Sequence, residues 1–562
     1  MRIHTLFTLL STVLTAALTA ASPLTILKER ADDPVATLTG AGPDGGDVEI
    51  TGVNHPTFQQ DYWGGIPYAK PPTGDLRFSP PQTYAYESTI FTAQISSPAC
   101  MQDSDLTMSE DCLYLNVYTP SGSSGSDASL PVMVWVFGGG FQTGDAGWFN
   151  ASRNLQYGVD SGKPFVFVAL QYRLGAFGWG PNQATNVGLK DIKQGLSWVQ
   201  SNIAAFGGDP SKVSIGNHKL FAYTHGQEQV TLFGESAGAM AIMESGAPSG
   251  TPLGPAGSTW EDAYQFFLDH VGCKSPSDGS TEWACLKALS ADQLLDGQKA
   301  TKSQTQWVDS RLYGPSIDGD VIPYSPHTLI SNGKVANIPF IQGNNKDEGT
   351  SFAPTTLEGP ESGRNLIRLI EPVPPSNATL DSLLDLYPAD PTVGSPYDTG
   401  NDTFGLQPAY KRFASIIGDL KFQAPRRHFL REANKHGNTA TWTYQFEQST
   451  PGSAAQRGVW HASEIPYVYG LARPGTGQSA EYTDVDGALS DAMMEYWINF
   501  AHYSDPNGPS GATPNFTSWP AHDIFANTNI LRLKGDDIEV FKDDFREEGM
   551  QFMQDNSGEF NM

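Results

Sequence analysis

The residues best suited to chemistry gather around Ser236. It sits in Gly234-Glu235-Ser236-Ala237-Gly238, directly after the strand-like Val230-Thr231-Leu232-Phe233. A G-x-S-x-G motif after a strand makes a sharp turn that exposes the serine oxygen, and only glycines leave room for it. The chemistry is attack of a serine on an acyl carbon. Such attack puts negative charge on the substrate oxygen, which needs donors already in place. Gly138-Gly139-Gly140 follows the apolar run Val132–Phe137. Consecutive glycines let backbone N–H groups come close to a substrate oxygen. Gly139 and Gly140 are therefore candidate donors, with the Ala237 N–H as a third.

A serine at neutral pH also needs a base, and the base needs an orienting carboxylate. Of the eleven histidines, His461 has the best setting. It lies in Gly458-Val459-Trp460-His461-Ala462-Ser463-Glu464-Ile465-Pro466, a loop late in the chain after the apolar run ending at Phe446. The acid is expected in Gly343-Asn344-Asn345-Lys346-Asp347-Glu348-Gly349, after the run Ile338–Gln342. Glu348 and Asp347 are both candidates, and spacing alone leaves the choice open. Serine, acid and histidine then follow one another in the order used by α/β-hydrolases.

These residues must be carried by elements that converge. Val132–Phe137, Phe165–Leu170, Val230–Phe233, Ile338–Gln342 and Thr441–Phe446 are short apolar runs without alternation. Runs of this kind predict strands buried on both faces, as in a mostly parallel sheet. Leu189, Ile192, Leu196, Val199 and Ile203 step by three or four residues and predict a helix with one apolar face. Gly207, Gly208 and Pro210 end it. Alternating strands and helices point to an α/β fold. Pro354 to Thr403, rich in Pro, Ser and Asp, reads as loops and short helices over the substrate side. Without repeats or a long linker, residues 34–562 read as a single domain.

The chain has 562 residues, and its net charge is −27. Such a surface repels phosphate backbones and anionic headgroups, so nucleic acid and polybasic membrane docking are set aside. Arg2, the apolar run Leu6–Leu18 and the small residues Thr19 to Ser22 predict a signal peptide over residues 1–21. Residues 22–33 then form a short propeptide or linker. The apolar run is too short for a membrane span, so no integral membrane segment is expected. In an oxidising compartment the four cysteines should pair, and nearness in sequence favours Cys100–Cys112 and Cys273–Cys285. No histidine lies near either pair at zinc-ligand spacing, so no metal site is expected. Asn150, Asn377, Asn401 and Asn515 are candidate glycosylation acceptors. No motif specifies an oligomeric state.

From about Val48 to Phe541 the chain resembles the type B carboxylesterase and lipase family, which includes the cholinesterases and a branch of fungal lipases. The resemblance rests on Gly65-Ile66-Pro67-Tyr68-Ala69, Pro71-Pro72, Leu76-Arg77-Phe78 and Glu110-Asp111-Cys112-Leu113-Tyr114-Leu115-Asn116-Val117. It continues through Phe137-Gly138-Gly139-Gly140-Phe141, Asn202-Ile203-Ala204-Ala205-Phe206-Gly207-Gly208-Asp209-Pro210 and the Gly-Glu-Ser-Ala-Gly turn. It implies an α/β-hydrolase fold, a central and mostly parallel twisted sheet flanked by helices. Large loop and helical excursions would cover the site. It implies Glu348 rather than Asp347 as the acid, supports His461 and both disulfides, and implies ester hydrolysis without metal or organic cofactor.

The chain departs from the family pattern twice beside the serine. Val213 to Gln229 interrupts the family's run from Ser211-Lys212 into Val230-Thr231. Its ends can be written with splice signals, so 213–229 is expected to be a retained intron and a non-native insert. After Met240 the family has a helix and a link of about twenty residues, whereas here Met240 joins Ala241 directly. Parallel neighbours ordinarily need a crossover of about a dozen residues, so Gly234 to Met240 is expected not to bridge them. These changes around 213–241 are expected to impair the chain as written.

The loop between Cys100 and Cys112 bears on substrate. In the family's lipases it carries a long lid, and in its cholinesterases a cation-binding tryptophan. Here it encloses only Met101 to Asp111, with no tryptophan. A quaternary ammonium lacks that aromatic face. The expected substrate is a small or soluble carboxylic ester, with a triacylglycerol or other lipid ester as the alternative. A non-catalytic, cholinesterase-like binding role is the remaining reading. Relatives of that kind usually lack a triad residue, and all three are present here.

Overall fold

A computed structural model describes residues 33–180, 185–212, 231–239, 242–248, 258–276, 279–304, 313–357, 359–371, 374–476, 481–509, 516–526 and 528–560. The expected signal peptide, the suspected insert 213–229 and Asn515 lie outside these residues.

Eleven strands among the described residues form one sheet: β1 (Val53–His55), β2 (Gln60–Pro67), β3 (Tyr114–Pro120), β4 (Val132–Val136), β5 (Val166–Leu170), β6 (Thr231–Glu235), β7 (Ile242–Glu244), β8 (Phe340–Asn345), β9 (Thr441–Phe446), β10 (Asn529–Leu533) and β11 (Glu539–Lys542). Their order is β1-β2-β3-β5-β4-β6-β7-β8-β9-β10-β11. From β5 to β10 every neighbouring pair is parallel, and antiparallel strands close both sides. All five apolar runs of the sequence fall on strands of the parallel set. Every residue of β4, β5, β8 and β9 is buried, as expected for strands covered on both faces.

Helices cover the sheet. These include α1 (Ser152–Asp160), α2 (Val187–Asn202), α3 (Ala424–Lys435) and α4 (Asp484–Tyr503). The predicted amphipathic helix is α2. It passes into a 3-10 turn at Ile203–Phe206, and Gly207 then takes φ 86°, where the helix stops. Arg173, just beyond β5, pairs with the buried Asp191 of α2 at 2.7 Å. Trp135 of β4 packs against Phe149, Phe233 and Tyr469 with ring centroids 4.8, 4.8 and 5.4 Å away. The Pro354–Thr403 stretch does contain short helices, Pro360–Ile370 and Asn377–Leu386. With the helices Ala409–Gly418 and Glu547–Asp555 it buries a separate apolar cluster around Ile367, Leu383 and Phe413.

Both expected disulfides are present, Cys100–Cys112 and Cys273–Cys285, with Cα atoms 5.1 and 5.6 Å apart. Asn377 and Asn401 are exposed and Asn150 is half-buried. Among the described residues no helix is long and apolar enough to cross a membrane.

One expectation is corrected. β6 and β7 do pair in parallel, with Phe233 opposite Ile242, although only residues 236–241 separate them. β7 is three residues long and begins level with Phe233, two residues short of the end of β6. The chain therefore retraces only about 7 Å at ~3.3 Å per residue, which six residues span. Ser236–Gly238, between the two strands, forms a single 3-10 turn.

Candidate active site

Ser236 lies at the end of β6 with φ 53°. A non-glycine residue in this region carries strain, and such strain gathers where the fold must aim a side chain. The flanking glycines are required by contact. A Cβ on Gly238 would meet the Val136 carbonyl oxygen at 2.0 Å, and one on Gly234 would meet it at 2.4 Å. Ser236 is half-buried.

The glycine run follows β4 and turns back on itself. Gln142 and Thr143 both donate to the Gly139 carbonyl at 3.1 Å. The run is braced from behind. The Tyr172 hydroxyl donates to the Phe137 carbonyl at 2.8 Å, and the Gly175 N–H donates to the Phe141 carbonyl at 2.8 Å. Gly139 and Gly140 have φ 104° and 61°. Their N–H groups take no part in the hydrogen bonds of this turn. Gly138 abuts the serine, since a Cβ there would stand 3.0 Å from Ser236 Cβ.

His461 comes from the loop after β9, and Glu348 opens the 3-10 turn after β8. Glu348 Oε2 stands 2.5 Å from His461 Nδ1. Glu348 Oε1 accepts hydrogen bonds from Ser245 Oγ at 2.6 Å and from the Asn345 N–H at 2.7 Å. Asp347 turns the other way. It accepts from Val459 N–H, Tyr397 N–H and Ser395 Oγ, and so ties together the loops around the site. Of the two candidate acids, Glu348 is the one against the imidazole. Phe352 and Phe422 pack on the imidazole with centroids 5.1 and 4.7 Å away.

The serine and the histidine are not joined. The far side of the imidazole, Nε2, faces Glu235 Oε1 at 2.8 Å as an ion pair. Burial pulls the imidazole pKa down, but Glu235 and Glu348 more than offset this and hold it well above its usual value. Two further buried carboxyls stand behind. Glu464 accepts from Asn345 Nδ2 at 2.5 Å. Burial, with Glu235 and Glu348 nearby, pushes its pKa up to about 8. Glu244 accepts from Trp497 Nε1 at 2.7 Å. Burial raises its pKa far above the carboxylate range, and Glu464 and Glu235 add to the effect.

Sequence reasoning did not single out Glu235, Glu244, Ser245 or Glu464. A signal existed for Glu244, an acid at the end of a short apolar strand. For Glu235 and Glu464 the signal was their place beside Ser236 and His461. Among the described residues no group of acids, histidines and cysteines is arranged to hold a metal ion.

The chain belongs to the carboxylesterase family, whose sequence model matches residues 43–553. It is 33% identical to lipase 1 of Geotrichum candidum over 589 aligned positions, which cover 94% of this chain and 97% of that one. It is 31% identical to the secreted triacylglycerol lipase LIP1 of Gibberella zeae, covering 94% of this chain and 92% of the relative. In fold it matches the crystal structure of Aspergillus niger EstA with a TM-score of 0.77 at 21% identity, over 95% of this chain and all of that one. The fold is that of an α/β-hydrolase, and the protein is a serine hydrolase of carboxylic esters.

Proposed function

We propose that Ser236 attacks the ester carbonyl while His461 takes its proton and Glu348 holds the imidazole. The N–H groups of Gly139, Gly140 and Ala237 then stabilise the oxyanion, and water releases the acid from the acyl-enzyme. The observation that carries this reading is the 2.5 Å contact of Glu348 with His461 Nδ1, in a loop beside a strained serine at the end of a parallel strand. Glu348 fixes the ring so that Nε2 is the nitrogen left for the serine.

The substrate is a small or soluble ester, because the Cys100–Cys112 loop is too short for a broad lid. A lipid ester is the second reading, favoured by the relatives named as lipases. Rates on p-nitrophenyl esters of rising chain length separate the two. Decline beyond short chains supports the first. A rise for long chains that jumps at the micelle threshold supports the second.

The protein is secreted, in keeping with its disulfides and with a relative named as secreted. Residues 213–229 are an insert, and a segment after Met240 is missing. The alignment with the Geotrichum lipase runs over 589 positions, more than the 562 residues of this chain, so that relative carries residues absent here. A version with 213–229 removed and a family-length link restored after Met240 is expected to hydrolyse esters faster than the chain as written. Equal rates would remove this part of the reading.

A further inference from the structure

Resting on the reading that His461 is the base for Ser236, we propose that Glu235 is a lock on that base. Its carboxylate occupies the Nε2 side of the imidazole, keeps the ring an imidazolium, and so withholds it from the serine until Glu235 is displaced or neutralised.

The geometry is two-sided. Glu235 Oε1 faces His461 Nε2 at 2.8 Å. Its other oxygen, Oε2, lies 2.5 Å from where a Cβ on Gly138 would stand. One carboxylate therefore bridges the space between the base and the glycine run. A negative charge there acts twice. It holds the proton that must leave His461 before the base can work, and it repels the oxyanion that the glycines would bind.

Among the described residues no lysine or arginine pairs with this carboxylate. The acids against His461 are Glu235 of β6 and Glu348 after β8, and Glu464 of its own loop and Glu244 of β7 stand behind them. Tyr444 of β9 adds a phenol. Phe352 and Phe422 close the ring's faces. Among the described residues His461 is the sole positive partner paired with this set. The imidazole thus stands between two side-chain carboxyls, Glu235 on the Nε2 side and Glu348 on the Nδ1 side.

The short turn explains why the lock sits where it does. Ser236–Gly238 is one 3-10 turn running almost at once into β7. Glu235, the last residue of β6, stays beside the imidazole while the serine has no hydrogen bond to it. Raising the pH removes the Nε2 proton to hydroxide and frees the nitrogen. Replacing the carboxylate by an amide should do so at lower pH.

The experiment uses the full chain labelled with 13C-histidine and probed with a fluorophosphonate. Wild type should react slowly at neutral pH and faster as His461 deprotonates, with a midpoint above the usual histidine value. Glu235→Gln should lower both the His461 titration and the labelling midpoint by about 1–2 pH units. It should raise the neutral-pH rate roughly tenfold or more. An unchanged midpoint, with labelling still abolished by Ser236→Ala, overturns the lock and leaves the serine reading standing. A shifted His461 titration with no labelling of Ser236 at any pH keeps the Glu235–His461 contact but overturns the serine reading, and the lock falls with it. If Glu235→Gln does not fold, Glu235→Asp withdraws the carboxylate by one methylene. It should give a smaller downward shift, and no shift overturns the lock.

Discussion

Ser245 Oγ donates to the same carboxylate, Glu348, that orients His461: Oε1 takes the serine at 2.6 Å and Oε2 takes the imidazole at 2.5 Å. The carboxylate is buried, so a lost donor is not replaced by water. A hydrogen bond to a charged group is worth about 1.5–3 kcal/mol, and 1.4 kcal/mol is roughly tenfold in rate. Ser245→Ala is therefore expected to lower kcat by about tenfold or more with little change in KM. Steady-state kinetics on a soluble ester checks this.

Gly139 tolerates no side chain. Its φ is 104°, and a Cβ would stand 2.1 Å from the Thr143 carbonyl oxygen. Gly139→Ala must break the turn that presents the glycine N–H groups. Loss of one oxyanion donor costs about 10²–10³ in kcat. A fall of that size is expected, with the melting temperature shifted far less.

Arg426 of α3 is fully buried and reaches Asp543 at 2.7 Å, where Arg427 also donates. Burial alone would raise the Asp543 pKa, but the two guanidinium groups pull it well below the usual carboxylate range. Asp543→Asn leaves both charges without a counterion and is expected to cost about 3–5 kcal/mol. Urea unfolding reads it. For wild type this contribution is present above the unfolded carboxyl pKa and is lost as pH falls through the lower folded value.

His428 of α3 stacks on His327 at 4.9 Å between centroids. Burial first, then the neighbouring His327, lowers its pKa from 6.5 to about 4. The unfolded chain therefore binds more protons than the folded one between these values, and stability rises with pH there. Thermal unfolding should show wild type losing stability from 6.5 down to about 4. His428→Leu should flatten that slope.

The sequence was most legible where burial dictates residue type. The apolar runs of β4, β5, β8 and β9 fall on buried strands because parallel strands have no solvent face. The stop of α2 was legible because Gly207 takes the left-handed conformation that ends it. The choice between Asp347 and Glu348 was not legible from spacing, since adjacent residues differ only in the direction they point. The carboxylate behind His461 Nε2 was not legible either. It depends on the last residue of β6 meeting the loop after β9, a contact between distant parts of the chain that no local pattern announces. The antiparallel closing strands β1 and β11 are short and partly exposed, so their runs carry little apolar signal.

The central claim is that Ser236 is the nucleophile and His461 its base. Intact mass and peptide mapping after fluorophosphonate treatment at alkaline pH test it most directly. The expected result is a single adduct on the peptide carrying Ser236, absent in Ser236→Ala and slowed roughly a thousandfold or more in His461→Ala. An adduct on another residue, or labelling of Ser236→Ala at the wild-type rate, would contradict the account.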